Sequence, residues 1–110
     1  MDLMTLAMAK AISSSSDTKP YDKVVQVSGE APSIRGASNT RYICGEVTSL
    51  TITPPATGIM DVIFTSGSVV TVLTLPQTVI LPEWFEIEAG HTYELSIMDG
   101  VYGVVTAWET

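Results

Sequence analysis

A single histidine, a single cysteine and a short run of glutamates are the side chains of this chain most able to do chemistry. His91 opens an alternating apolar run just after Gly90. To act as a general base it needs a nucleophile and an orienting acid within reach, and nothing in the spacing supplies either. The expectation is a structural ring stacked near Trp108. Cys44, between Ile43 and Gly45, has no second thiol to pair with, and one histidine and one cysteine are too few soft ligands for zinc. It reads as a small buried hydrophobe. Glu83, Glu86 and Glu88 bring carboxylates together, as glycoside hydrolysis or calcium binding requires. No calcium loop of Asp, Asn and Gly accompanies them, and acidic residues that keep a strand edge from aggregating are the better reading. Gly-rich phosphate loops, GxSxG elbows and HExxH pairs are missing. The sequence therefore predicts no catalytic residue, no metal and no cofactor: a protein that is not an enzyme. Trp84 and Phe85 are adjacent, so on a strand one ring points in and the other out; with Tyr102 they are candidate contacts for a ligand or partner.

The elements that must position these residues divide at a stretch of serines. Residues 1–12 hold good helix formers without Gly or Pro, and Asp2 is placed to cap them. Leu3, Met4, Leu6, Met8 and Ile12 give this helix broad apolar coverage, which makes them candidate attachment or oligomer contacts. So short a helix is marginal alone in water and calls for a partner surface. Asp2 and Lys10 argue against a signal peptide. Ser13-Ser14-Ser15-Ser16-Asp17-Thr18-Lys19-Pro20 reads as a linker, so residues 1–20 form a leader and residues 21–110 a single body.

Within the body the apolar period changes from helical to two. Strand-like runs are expected at 23–28, 41–44, 46–53, 59–65, 68–75, 78–81, 83–88, 91–98 and 101–109, separated by Gly- and Pro-bearing turns. That pattern predicts an all-β fold, an antiparallel β-sandwich or jelly-roll-like module preceded by the short N-terminal helix. Ser66-Gly67 is expected to close a hairpin between 59–65 and 68–75. A two-residue turn at Asp99-Gly100 would set Ile97 opposite Tyr102, Leu95 opposite Val104, Tyr93 opposite Thr106 and His91 opposite Trp108. The central run is apolar on both faces, with Ile59, Ile63, Val70 and Val72 alternating with Met60, Val62, Phe64, Val69 and Leu73. One small domain cannot easily cover both sides of such a hairpin, and subunit association can.

Charge narrows the partners. Five basic residues stand against twelve acidic ones in 110 residues, a net charge of −7, and no Lys or Arg follows Arg41. Phosphate backbones and anionic membranes would be repelled, so neither nucleic acid nor membrane is an expected partner. Charged residues are 15% and hydrophobic residues 45% of the chain, which excludes a disordered polymer. No apolar run is long enough for a spanning helix.

Four segments resemble virion proteins of bacteriophages from gut bacteria. They are Asn39-Thr40-Arg41-Tyr42-Ile43-Cys44-Gly45-Glu46-Val47-Thr48-Ser49-Leu50, Ile59-Met60-Asp61-Val62-Ile63-Phe64-Thr65-Ser66-Gly67-Ser68, Leu81-Pro82-Glu83-Trp84-Phe85 and Tyr93-Glu94-Leu95-Ser96-Ile97-Met98-Asp99-Gly100-Val101-Tyr102-Gly103. The resemblance covers residues 24–108 and implies a small β module of the head-fibre, tail-fibre or capsid-decoration type, commonly a homotrimer. It implies a structural protein of the phage particle, made in the bacterial cytoplasm and joined to capsid or tail proteins through its N-terminal helix. The short leader favours a compact appendage over a long fibre. A carbohydrate- or receptor-binding module is the alternative, with Trp84, Phe85 and Tyr102 as its platform for a host-surface glycan.

Overall fold

The computed structural model describes residues 21–109. The expected leader helix, with Leu3, Met4, Leu6, Met8 and Ile12, and its serine linker lie outside the described residues. Runs rich in Val, Ile, Thr and Tyr become strands wherever the period is two and a turn residue ends them. Eight form among the described residues: β1 (Lys23–Val27), β2 (Ser33–Arg35), β3 (Thr40–Glu46), β4 (Ser49–Thr53), β5 (Ile59–Ser66), β6 (Val72–Thr74), β7 (His91–Met98) and β8 (Tyr102–Glu109). The body is all-β, as its periodicity predicts.

The pairing differs from the expected antiparallel one. Successive strands alternate between two sheets: β1, β3 and β5 lie side by side in one, β2, β4 and β6 in the other, and every one of these neighbours is parallel. Parallel strands need a long crossover. Here each crossover contains a strand of the opposite sheet, so the chain winds three times around one core. Only then does it turn antiparallel, adding β7 beside β5 and β8 beside β7 to complete a five-stranded sheet.

Ser66-Gly67 accordingly closes no hairpin, and β5 and β6 lie in different sheets. The Ser66 hydroxyl accepts the Thr71 N–H at 3.1 Å, and the Thr71 hydroxyl donates to the Val47 carbonyl at 2.6 Å. These buried bonds steer the chain across the core, where a two-residue turn would send it straight back. The run 83–88 is no strand, and in 78–81 only Ile80 makes a ladder contact, a single bridge to Tyr102. Residues 76–90 instead cover the part of the five-stranded sheet that the shorter sheet does not reach. Leu75, Val79, Leu81, Phe85 and Ile87 pack there against the core.

The core draws Ile34, Leu50 and Ile52 from one sheet and Tyr42, Met60, Val62, Phe64, Tyr93, Leu95, Ile97 and Val105 from the other. Cys44 is buried among them, as a small hydrophobe should be.

The last hairpin forms where expected but one residue out of register. Asp99 and Gly100 both take positive φ, and the Val101 N–H donates to the Met98 carbonyl at 3.0 Å. Pairing then resumes at Met98 with Tyr102, leaving Val101 as an extra residue. Leu95 therefore faces Val105, Ile97 faces Gly103 and His91 faces Glu109, while Tyr102, Val104 and Trp108 turn outward. The slip goes with a clamp from a segment about twenty residues earlier in the chain. Val101 accepts from the Ile80 N–H at 2.6 Å, and the Gly103 N–H donates to the Ile80 carbonyl at 2.9 Å. This clamp needs a residue without a side chain at 103, because a Cβ there would come within 2.6 Å of Leu81 Cδ2 and 3.2 Å of the Ile80 carbonyl oxygen.

Gly103→Val should lower unfolding stability by about 1–3 kcal/mol through overpacking. A Cβ at Gly45 meets nothing within 4 Å, so Gly45→Ala should leave the urea midpoint nearly unchanged. Equal midpoints for the two variants would contradict this account of the slip.

Candidate functional site

The residues first considered for chemistry are dispersed. His91 Nδ1 lies 3.0 Å from the Ala89 carbonyl oxygen, and Nε2 is 3.9 Å from Glu88 Oε1. Its ring stacks on Tyr93 at 6.2 Å rather than on Trp108, which the register slip moves to the outer face. Burial pushes the Cys44 thiol up to about 11, so it remains protonated and poorly nucleophilic at neutral pH. Glu83, Glu86 and Glu88 have exposed side chains on the segment between β6 and β7. The main chain does the work there: the Glu88 N–H donates to the Tyr93 hydroxyl at 2.7 Å, and that hydroxyl donates to the Glu86 carbonyl at 3.3 Å.

Trp84 and Phe85 do split as their adjacency suggests. Phe85 turns in, edge-on to Tyr93 with centroids 5.5 Å apart, while Trp84 stands 63% exposed and edge-on to Phe85 at 6.2 Å. A turn produces this split, the Phe85 N–H donating to the Pro82 carbonyl at 3.1 Å. Tyr102 is exposed at the start of β8, and among the described residues no ring contact joins it to the pair. The three aromatics therefore do not form one platform.

Phe85 instead helps line an open groove of about 540 Å³ with Val70, Leu73, Leu75, Val79, Leu81 and Ile87. Exposed Val69, Val70 and Val72 lead into β6 beside it. Val70 and Thr71 before β6, Leu73 in it and residues of the segment that follows it form this groove, where no strand of the shorter sheet extends over β7 and β8.

The structure also assembles a polar cluster that the sequence reading does not contain. On the outer face of the five-stranded sheet, Asp61 is fully buried and accepts Arg41 Nε at 2.8 Å and the Ser96 hydroxyl at 2.5 Å. Arg41 Nη2 reaches Glu94 Oε2 at 2.9 Å, and the Tyr21 ring lies under the guanidinium at 4.9 Å. Register explains the convergence, since Arg41 pairs with Asp61 and Asp61 with Ser96. The signal in the sequence was an Asp inside the run Ile59-Met60-Asp61-Val62, where a charge is costly unless paired. Burial and then the Asp61 charge push Glu94 up to about 7, against the pull of Arg41. Burial, followed by Asp61, likewise raises Tyr21 to about 12. Desolvation works against the Arg41 charge, but Asp61 and Glu94 outweigh it and the net direction is upward. Two carboxylates flank one guanidinium, which in turn holds the ring of Tyr21, the first described residue, against the sheet.

No family model, no curated protein and no solved structure matches this chain. Among the described residues no helix is long and apolar enough to cross a membrane.

The Glu94 shift has a signed consequence. Its folded value near 7 lies above the ordinary 4.5, so between those pH values the folded protein holds a proton that the unfolded chain has released. Its contribution to stability therefore falls as pH rises from about 4.5 to 7. Glu94→Gln should flatten the dependence of the urea midpoint on pH in that window. An unchanged slope in the variant would contradict the assignment to Glu94.

Proposed function

We propose that this protein is a non-enzymatic structural subunit of a phage particle, a compact head-fibre or capsid or tail appendage that assembles as a homotrimer. Its N-terminal segment makes the contact with the particle. The observation that carries the assembly part is the apolar groove flanked by exposed Val69, Val70, Val72 and Trp84 on an otherwise acidic body. Such a patch on a small domain marks an interaction surface. A neighbouring copy supplies the missing cover, since the groove lies where the shorter sheet stops. The resemblance of four body segments to virion proteins supports placing that assembly on a phage. Two sheets around one core support reading the module as a sandwich built by winding.

A glycan-binding module is the second reading, favoured by Trp84, whose exposed indole beside Phe85 offers one stacking face. The two differ in what Trp84→Ala removes: glycan binding on an array in the second reading, subunit contact in the first.

Full-length protein should sediment as an oligomer at micromolar concentration. Val70→Asp combined with Val72→Asp should weaken its assembly at least tenfold, because several apolar side chains at roughly 1.5–3 kcal/mol each are at stake. A full-length protein that sediments as a monomer would sink the assembly reading.

A further inference from the structure

Strand β8 ends the five-stranded sheet. Val101 accepts the Ile80 N–H, and the Gly103 N–H donates to the Ile80 carbonyl, so residues 101 and 103 direct these groups away from β7. Along an antiparallel ladder that direction alternates. Val105 and Ala107 therefore also present N–H and C=O outward, and among the described residues nothing bonds them there. Pro82 accounts for this. To continue the parallel bridge of Ile80, residue 82 would donate its N–H to the Gly103 carbonyl and accept the Val105 N–H. Proline has no N–H to give, and the Pro82 carbonyl already accepts the Phe85 N–H. The covering chain leaves the edge at that point.

Natural sheets shorten, charge or interrupt their exposed edges, because an unmodified edge templates pairing with another chain. Among the described residues the other edges follow that rule: β2 and β6 are three residues long, and β1 carries Lys23. β8 does not. It is eight residues long, and from Tyr102 to Trp108 it has no charge and no proline. Its outer face shows Tyr102, Val104 and Trp108, which are 60%, 62% and 43% exposed. Tyr102 also pairs with Met98, and Met98 with Ile59, so an exposed apolar row crosses the sheet and ends at this edge.

The occupant follows from what the edge offers. A second β8, set antiparallel about a two-fold axis at Thr106, places Val105 opposite Ala107 of the copy and Ala107 opposite its Val105. Each of these pairs exchanges both of its N–H···O=C bonds, so every outward group of Val105 and Ala107 is met. On the outer face Val104 then meets Trp108 of the copy, a β-branched side chain against an aromatic one, and Thr106 meets itself. Charge agrees with this register. The two Glu109 residues fall at opposite ends, about 20 Å apart. Glu94 pairs with Thr106 across β7 and β8 and bonds Arg41, and its copy lies three strand spacings or about 14 Å away. Both separations exceed the screening length of about 8 Å at physiological salt. Two acidic bodies therefore meet here without close like charges.

We propose that β8 pairs edge to edge with β8 of a second copy, antiparallel and with Thr106 on the two-fold axis, joining two five-stranded sheets into one. A contact of this kind uses up the edge on both sides and closes on itself. It involves none of Val69, Val70 and Val72, so it is a second contact beyond the one placed in the groove.

Thr106→Cys in the full-length protein tests it. A residue that faces its own copy in a non-hydrogen-bonded pair has Cα atoms about 4.5 Å apart, within the reach of a disulfide. Thr106 is exposed and Cys44 is buried, so mild oxidation should link the protein into dimers through position 106. Val104→Cys lies about 14 Å from its own copy in this register and should link at least tenfold more slowly. Equal rates for the two, or no link at position 106, overturn the proposal. Ala107→Pro removes an outward N–H and leaves the ladder to β7 intact. It should weaken dimer formation at least tenfold at an unchanged urea midpoint. Unchanged sedimentation of that variant overturns the proposal, and so do open-ended polymers of the wild-type protein. Should the proline unfold the body, the two exposed cysteines decide. Val70→Asp with Val72→Asp separates the two contacts, because the link at position 106 should still form there. Oligomers that form no such link sink only this proposal, and a linked dimer whose mass those aspartates leave unchanged sinks only the groove contact.

Discussion

Strand β5 has both of its edges paired and its inner face buried, and the rest of the body is arranged around it. It pairs parallel with β3 on one edge and antiparallel with β7 on the other, so it joins the wound part of the chain to the hairpin part. Met60, Val62 and Phe64 fill the core from its inner face. Its outer face carries Asp61, a buried carboxylate that would be strongly unfavourable without Arg41 and Ser96. The outer cluster is thus a condition for placing β5 at the centre of the sheet. It is also why the first described residue lies where it does, with Tyr21 under Arg41.

The uneven length of the two sheets has consequences for the surface. Five strands on one side face only three on the other, and irregular chain must cover the difference. Tyr93 organises that cover. Its ring stacks on Phe64 at 5.4 Å and meets the edge of Phe85, while its hydroxyl takes one hydrogen bond from the covering segment and returns another. A segment held by one tyrosine and a few partly buried aliphatic side chains closes the core less completely than a strand would. The groove along Val70, Leu81 and Phe85 is the remaining gap. The apolar row on the opposite face arises differently, from a register in which Ile59, Met98 and Tyr102 fall in line. One small acidic body therefore carries two exposed apolar surfaces.

Much of the core was legible before the structure. Alternation put Met60, Val62 and Phe64 on one face of a strand, and Tyr93, Leu95 and Ile97 on another, and these are buried together. Cys44 was legible as a small buried hydrophobe, whereas the inward–outward split of Phe85 and Trp84, expected of a strand, is made by the turn at Pro82 instead. The Ser66-Gly67 connection was misread because composition marks a turn but not its direction. The bonds that send the chain onward come from Thr71 and Val47, and no local pattern announces them. Asp99-Gly100 was read correctly as a turn, yet the register slipped by one because Ile80, distant along the chain, clamps Val101 and Gly103.

Period and punctuation in this sequence determined that the body is all-β, where most strands run and which side chains reach the core. These depend on the two-residue repeat of a strand and on the backbone freedom of turn residues, which are properties of adjacent residues. Parallel winding, the one-residue slip, the polar cluster and the exposed apolar row were decided only by tertiary structure. Arg41 and Asp61 are twenty residues apart, and Arg41 and Glu94 fifty-three. Such groups meet only after strand order and register are set, and both are chosen by the pairing energy of the whole sheet, beyond the reach of any local run of residues.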